Sequence, residues 1–186
     1  KITIDNLVTS INLYENKLYI SSDAGKVEIY DINKLKKMKE IKLDKIYDYF
    51  GDTFYPKIFS THTIDGKNIL IISQDSNGSS KMQIYNDSGF RKIELNNTSF
   101  INKAYFIDKN RILIGLLSNE IILYDITKDK VVWEIQPSNA VFSDLIFSGN
   151  FAFSTTEGGI VYIIDIESGR IIKTLEGANF DNVYML

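Results

Sequence analysis

The sequence predicts an all-β chain assembled from a repeated, antiparallel four-strand unit, and three observations carry that expectation. Four stretches can be laid over one another: residues 16–43, 67–95, 110–135 and 149–175. Each has a short apolar run, a polar turn, a second run ending near Tyr or Asp, another turn and a third run. Within the runs, apolar and polar residues alternate, as in Lys26-Val27-Glu28-Ile29-Tyr30 and Lys39-Glu40-Ile41-Lys42-Leu43. That period of two belongs to a strand with one face buried, and a helix would show 3.6. The residues between runs are those that tolerate a positive φ or bond their own backbone, which suits tight hairpins.

Taken in order, the first turns of the four copies are Ser22-Asp23-Ala24-Gly25, Asp75-Ser76-Asn77-Gly78, Ser118-Asn119-Glu120 and Glu157-Gly158-Gly159. The second turns begin at Asp31, Asn86, Asp125 and Asp165, where a short side chain can accept backbone N–H groups of the turn that follows. An additional apolar stretch precedes each copy, at residues 8–13, 58–64, 104–107 and 141–147. This makes four strands per unit at a spacing of roughly 40 to 50 residues, the period of a propeller blade. The blades are expected at 7–43, 57–95, 101–136 and 141–176. Partial strands are expected at both ends, in "KITIDN" and "NFDNVYML". The expected fold is thus a β-propeller of four-stranded blades, about four of them complete, forming an incomplete propeller. Helix is confined in this expectation to a turn near residues 33–37 or 44–49.

Bulk composition narrows the function classes. A net charge of −3 lends no electrostatic support to a nucleic-acid partner. Without cysteine, disulfides, thiolate metal sites and a Cys nucleophile are excluded. No run of about 20 apolar residues offers a membrane span. The chain starts at Lys1 rather than Met, which reads as a mature product or a fragment.

Residues 124–135, "YDITKDKVVWEI", and 164–175, "IDIESGRIIKTL", resemble the blades of WD40-type propellers and their quinoprotein-like relatives. Asp125 and Asp165 stand where such blades end their third strand, and Trp133 stands at the Trp position of the fourth. The other copies lack that Trp, and the Gly-His and Trp-Asp pairs of strict WD40 repeats are missing. These residues do not separate the two families. Residues 113–126, "LIGLLSNEIILYDI", with "GDTFYPKIFS" at 51–60 and "DNVYML" at 181–186, are similar to the WD40-type accessory proteins of periplasmic nitrate reductase systems in Campylobacter-like bacteria. That resemblance implies the periplasm, with the cytoplasm as the alternative. It implies partners among envelope redox enzyme components and no cofactor bound by this chain.

Candidate chemistry is sparse. His62, the single histidine, has no identifiable partner for acid–base or metal work and reads as structural. Asp44, Asp48 and Asp52 would share a face on a helix and could hold a hard cation there, but a solvated face is the plainer expectation. Residues 75–80, "DSNGSS", open like a calcium loop, yet the twelfth position is Asn86, so a hairpin tip is expected. Asn77-Gly-Ser and Asn96-Asn-Thr fit glycosylation sequons. No nucleophile elbow, phosphate loop or zinc motif occurs. No catalytic, cofactor-binding or metal-binding residue is therefore assigned.

Residues 47–59 differ in character. They lengthen the link between the first two units and concentrate Tyr47, Tyr49, Phe50, Phe54 and Tyr55 beside Pro56. One or two rings are expected to cap a blade and the others to meet a partner. The expected function is a non-enzymatic interaction scaffold or accessory protein, with self-association through open propeller ends. The alternatives are a quinoprotein-like cofactor-binding domain and the sensor domain of a larger receptor.

Overall fold

The computed structural model describes residues 2–95 and 99–177. All regular structure among them is strand, in four four-stranded sheets and one two-stranded hairpin. β1 (Val8–Tyr14), β2 (Lys17–Ser22), β3 (Lys26–Asp31) and β4 (Lys36–Lys42) form the first sheet in chain order. A two-stranded hairpin follows, β5 (Ile46–Tyr47) with β6 (Thr53–Phe54). The second sheet runs β7 (Ile58–His62), β8 (Ile69–Gln74), β9 (Ser80–Asn86), β10 (Gly89–Ile93). The third is β11 (Ile101–Phe106), β12 (Arg111–Leu116), β13 (Ile121–Asp125), β14 (Lys130–Ile135). The fourth is β15 (Phe142–Ser148), β16 (Phe151–Thr156), β17 (Ile160–Asp165), β18 (Ile171–Glu176).

Turns do fall at the two expected places, at residues 32–35 and 49–50, and neither is helical: residues 36–42 belong to β4 and 46–47 to β5. Residues 2–7, expected to include a strand, form none; Asp5 and Asn6 bend the chain, and the Leu7 carbonyl accepts the Asp23 N–H at 3.1 Å. The other expected partial strand, "NFDNVYML", lies outside the described residues.

The chain divides into two compact units. One holds residues 1–98 with 104–109, and the other residues 99–103 with 110–186. In the first unit, Tyr19, Val27, Ile29, Ile41, Leu43, Ile58, Ile69 and Ile71 pack as one buried cluster. Full burial of an Ile or Val side chain contributes about 1.5–3 kcal/mol. Polar contacts join its two large sheets: Ser10 Oγ accepts the Thr61 N–H (3.2 Å), Asn12 Oδ1 accepts the Thr63 N–H (3.2 Å), and the Ser21 and Thr61 hydroxyls bond at 2.8 Å. In the second unit the middle strands β12 and β13 are buried along their length, apart from half-buried Arg111. Strands covered on both faces read as continuous apolar runs, as residues 112–116 do. Close sheet approach explains Gly115: a Cβ there would lie 2.7 Å from the Phe142 ring.

The turn carboxylates behave as their chemistry requires. Asp31 Oδ1 accepts the N–H groups of Asn33 (2.9 Å) and Lys34 (3.0 Å). Asp125 Oδ1 accepts those of Thr127 (2.9 Å) and Lys128 (3.0 Å), and Asp165 Oδ1 that of Ser168 (2.8 Å). Bonds from the Thr127 hydroxyl and the Lys128 N–H hold the Asp125 carboxyl well below its usual range. The residue four beyond each Asp has positive φ: Leu35 (50°), Asp129 (53°) and Gly169 (69°). Gly169 needs its missing Cβ twice over, since the atom would also sit 2.7 Å from Trp133 Cδ2. Trp133 Nε1 donates to the Ile166 carbonyl at 2.8 Å, so the sole Trp is fixed against the turn of the fourth sheet.

The same three copies share a skipped residue. The ladder shifts between Ile29 and Tyr30, between Leu123 and Tyr124, and between Ile163 and Ile164. Met38, Val132 and Ile172 are left unpaired there, and all three are exposed apolar side chains. The second sheet turns in two residues, Asp87-Ser88, and its β9–β10 ladder runs without a shift.

Candidate functional site

The aromatic segment forms a separate projecting feature of the first unit. β5 and β6 pair Ile46 with Phe54 and Tyr47 with Thr53. Asp48 then organises the tip: its Oδ1 accepts the N–H groups of Phe50 and Asp52, both at 2.9 Å. Its own N–H donates to the Asp52 carbonyl (3.0 Å), and its carbonyl accepts the Gly51 N–H (3.2 Å). A carboxylate bonded to its own turn holds that turn without any tertiary contact. The result is that Tyr49 and Phe50 are presented at the tip, 96% and 87% exposed, with Tyr47 at 63%. Tyr49 and Phe50 lie edge to face, with centroids 5.6 Å apart.

Phe54 and Tyr55 are half-buried and Pro56 is buried, so the segment is anchored at its C-terminal side. Lys42 and Lys45 place their Nζ atoms 4.2 and 5.2 Å from the Tyr55 ring centroid. A hydrogen bond from Lys42, and then its charge, lowers the Tyr55 phenol below its ordinary range. Two of the five candidate rings thus belong to the packed base, and three face solvent.

Tyr47, Asp48 and Tyr49 also frame an open cleft of about 490 Å³ with Ser76 and Asn77, from the tip between β8 and β9. Sequence reasoning placed Ser76 and Asn77 in a hairpin tip, where they are. It did not place that tip beside the aromatic one, because no local pattern encodes two hairpins side by side. Asn77 Oδ1 accepts the Ser79 N–H at 2.9 Å, which rigidifies this wall.

The remaining candidates separate from one another. Asp44, Asp48 and Asp52 are not on a helix; Asp48 serves its turn. His62, on β7, is half-buried, and its Nδ1 accepts the Phe106 N–H at 3.0 Å. It meets the Tyr105 ring edge to face at 5.2 Å. Burial pushes its pKa down from 6.5 to about 4, so the imidazole is neutral at physiological pH. Among the described residues no group of three or more His, Asp or Glu side chains stands where it could hold a metal ion. No helix among them is long and apolar enough to cross a membrane. The Asn96 sequon overlaps residues outside the described set.

Sheet order, turn chemistry and repeat together define an all-β protein built from propeller-type four-stranded blades. Solved structures of this fold are numerous, and one is the computationally designed Ika8 protein. It matches with a TM-score of 0.66 and 18% identity over 96% of this chain and 51% of that one. The chain therefore spans about half the length of that protein, and at such identity the likeness concerns fold alone. No family model and no curated protein matches the sequence.

Proposed function

We propose that this protein is a non-enzymatic interaction platform whose aromatic hairpin is the contact point for a protein partner. The observation that carries the proposal is the Tyr49–Phe50 pair, held almost fully in solvent by a turn that Asp48 braces from within. Exposing two large rings forgoes about 1.5–3 kcal/mol of burial for each. The backbone that carries the rings is already ordered by the turn, so less conformational freedom is left to lose on docking, and aromatic anchors dominate interface energies. The narrower role, an accessory of a periplasmic nitrate reductase system with envelope redox proteins as partners, rests on the resemblance of residues 51–60, 113–126 and 181–186.

The test is photo-crosslinking from position 49, with position 130 on β14 as an exposed control, in extracts of the source organism. A discrete adduct from 49 and none from 130 is the expected result. Identification of a reductase component in that adduct supports the narrower role. Equal labelling from both positions, or none, refutes the aromatic contact. Calorimetry with pyrroloquinoline quinone and calcium addresses the cofactor-domain alternative: micromolar binding would replace the platform proposal.

A further inference from the structure

A second feature of the first unit is a cavity of about 170 Å³, lined by Leu43, Asp44, Lys45 and Ile46 on one side. Its other walls are Pro56, Phe90 and a polar strip of the second sheet: Ser73, Gln74, Lys81 and Gln83. The strip follows from register. Ser73 pairs with Lys81 across β8 and β9, and Gln83 lies two residues further along β9, so all three side chains occupy one face. An apolar residue at position 83 would complete the run Met82-Gln83-Ile84, whose three members are all buried. Instead a Gln that is only 5% exposed stands there, its amide without a hydrogen-bond partner among the described residues but still touched by solvent. The Ser73 hydroxyl beside it is buried without a partner. Lys81 and Lys45 form no ion pair among the described residues, while Asp44 is the one acid in the lining.

A buried hydroxyl without a partner, as at Ser73, is costly, at about 1–3 kcal/mol, unless something fills the space and bonds it. The space compares with an engineered cavity of about 150 Å³ that admits benzene, so it holds about six to eight non-hydrogen atoms. Two ammonium groups against one carboxylate favour an anion. A planar carboxylate can accept from the Gln83 amide and a lysine together. The Leu43, Ile46 and Pro56 walls suit a short alkyl group.

We propose that this cavity is a binding site for a small aliphatic carboxylate, its charge met by Lys81 and Gln83 and its alkyl part by Leu43, Ile46 and Pro56. The site lies at the base of the aromatic hairpin, with which it shares Ile46 and Pro56, and the proposal does not rest on the platform role. Either a free acid or the C-terminal carboxylate of a peptide offers this chemistry.

The test is titration of the isotope-labelled protein, followed by amide shifts at residues 73–83. The probes are sodium propionate, neutral propionamide and N-acetyl-Gly-Ala with its free carboxylate. Saturable millimolar binding of propionate is expected, at least tenfold tighter than propionamide and at least tenfold weaker in Lys81→Met. Gln83→Leu, which also removes the unpartnered amide, should weaken binding while leaving the fold intact, and it keeps the test decisive if Lys81→Met fails to fold. Binding of the peptide but not of propionate assigns the carboxylate to a chain terminus. Equal binding of propionamide, no saturation by either carboxylate, or unchanged affinity in the variants overturns the proposal.

Discussion

Acidification from pH 7 to pH 5 should destabilise the unit that contains His62 by about 2 kcal/mol. In the folded chain the imidazole titrates near 4, and in the unfolded chain near 6.5. Between these values the unfolded state binds the extra proton, so stability rises with pH through the window and falls as acid is added. One pKa unit is worth about 1.4 kcal/mol, and the full difference of 2.5 units corresponds to about 3 kcal/mol, reached below pH 4. At pH 5 most of the unfolded but little of the folded histidine is charged, which gives the figure of about 2 kcal/mol. The geometry supplies the reason: a proton on Nδ1 would point at the Phe106 N–H that now donates to it. Urea unfolding followed by far-UV circular dichroism at pH 7, 6 and 5 measures the slope. His62→Gln supplies a permanent neutral acceptor and should flatten it over the same range. A slope that persists unchanged in His62→Gln, or stability that rises on acidification, would refute the assignment.

Other outcomes follow from the turns and the exposed rings. Leu35→Gly should stabilise the protein by up to about 1 kcal/mol, because a half-exposed Leu at φ 50° occupies a conformation that disfavours a Cβ; an equilibrium denaturation midpoint that falls would contradict this. Gly169→Ala should cost about 2 kcal/mol or more, combining that same conformation with a Cβ driven against Trp133, and Trp133 fluorescence reports the change. Tyr49→Ser with Phe50→Ser should leave the melting temperature within about 2 °C of the parent, since neither ring is buried, while abolishing the position-dependent adduct.

What the sequence disclosed, and what it concealed, has a physical pattern. Strands and hairpins were legible because alternation and turn residues are local: Asp31, Asp125 and Asp165 bond groups two to three residues away. The aromatic segment was recognisable for the same reason, and its division into exposed and half-buried rings was half-visible in Pro56. The skipped residues were not legible, since Met38, Val132 and Ile172 look like core residues and are not. Leu35 carries no mark of its positive φ, whereas its counterpart Gly169 does. Residues 43–46 meet residues 73–83 only through tertiary packing, so the polar cavity had no signature along the chain.

The skipped residues bear on how concentrated solutions of this protein behave. The last strand of a four-stranded sheet is an edge, and the outer row of backbone groups of an edge is a template on which another chain could add as a strand. At β4, β14 and β18 that row is interrupted by an extra residue, and an incoming straight strand would lose its match part-way along. Lysines reinforce the mismatch: Lys36, Lys37, Lys39 and Lys42 on β4, Lys130 on β14 and Lys173 on β18. Growth of amyloid by strand addition is thereby discouraged at three of the four sheets, while β10, whose ladder is unbroken, is guarded only by the charges of Arg91 and Lys92.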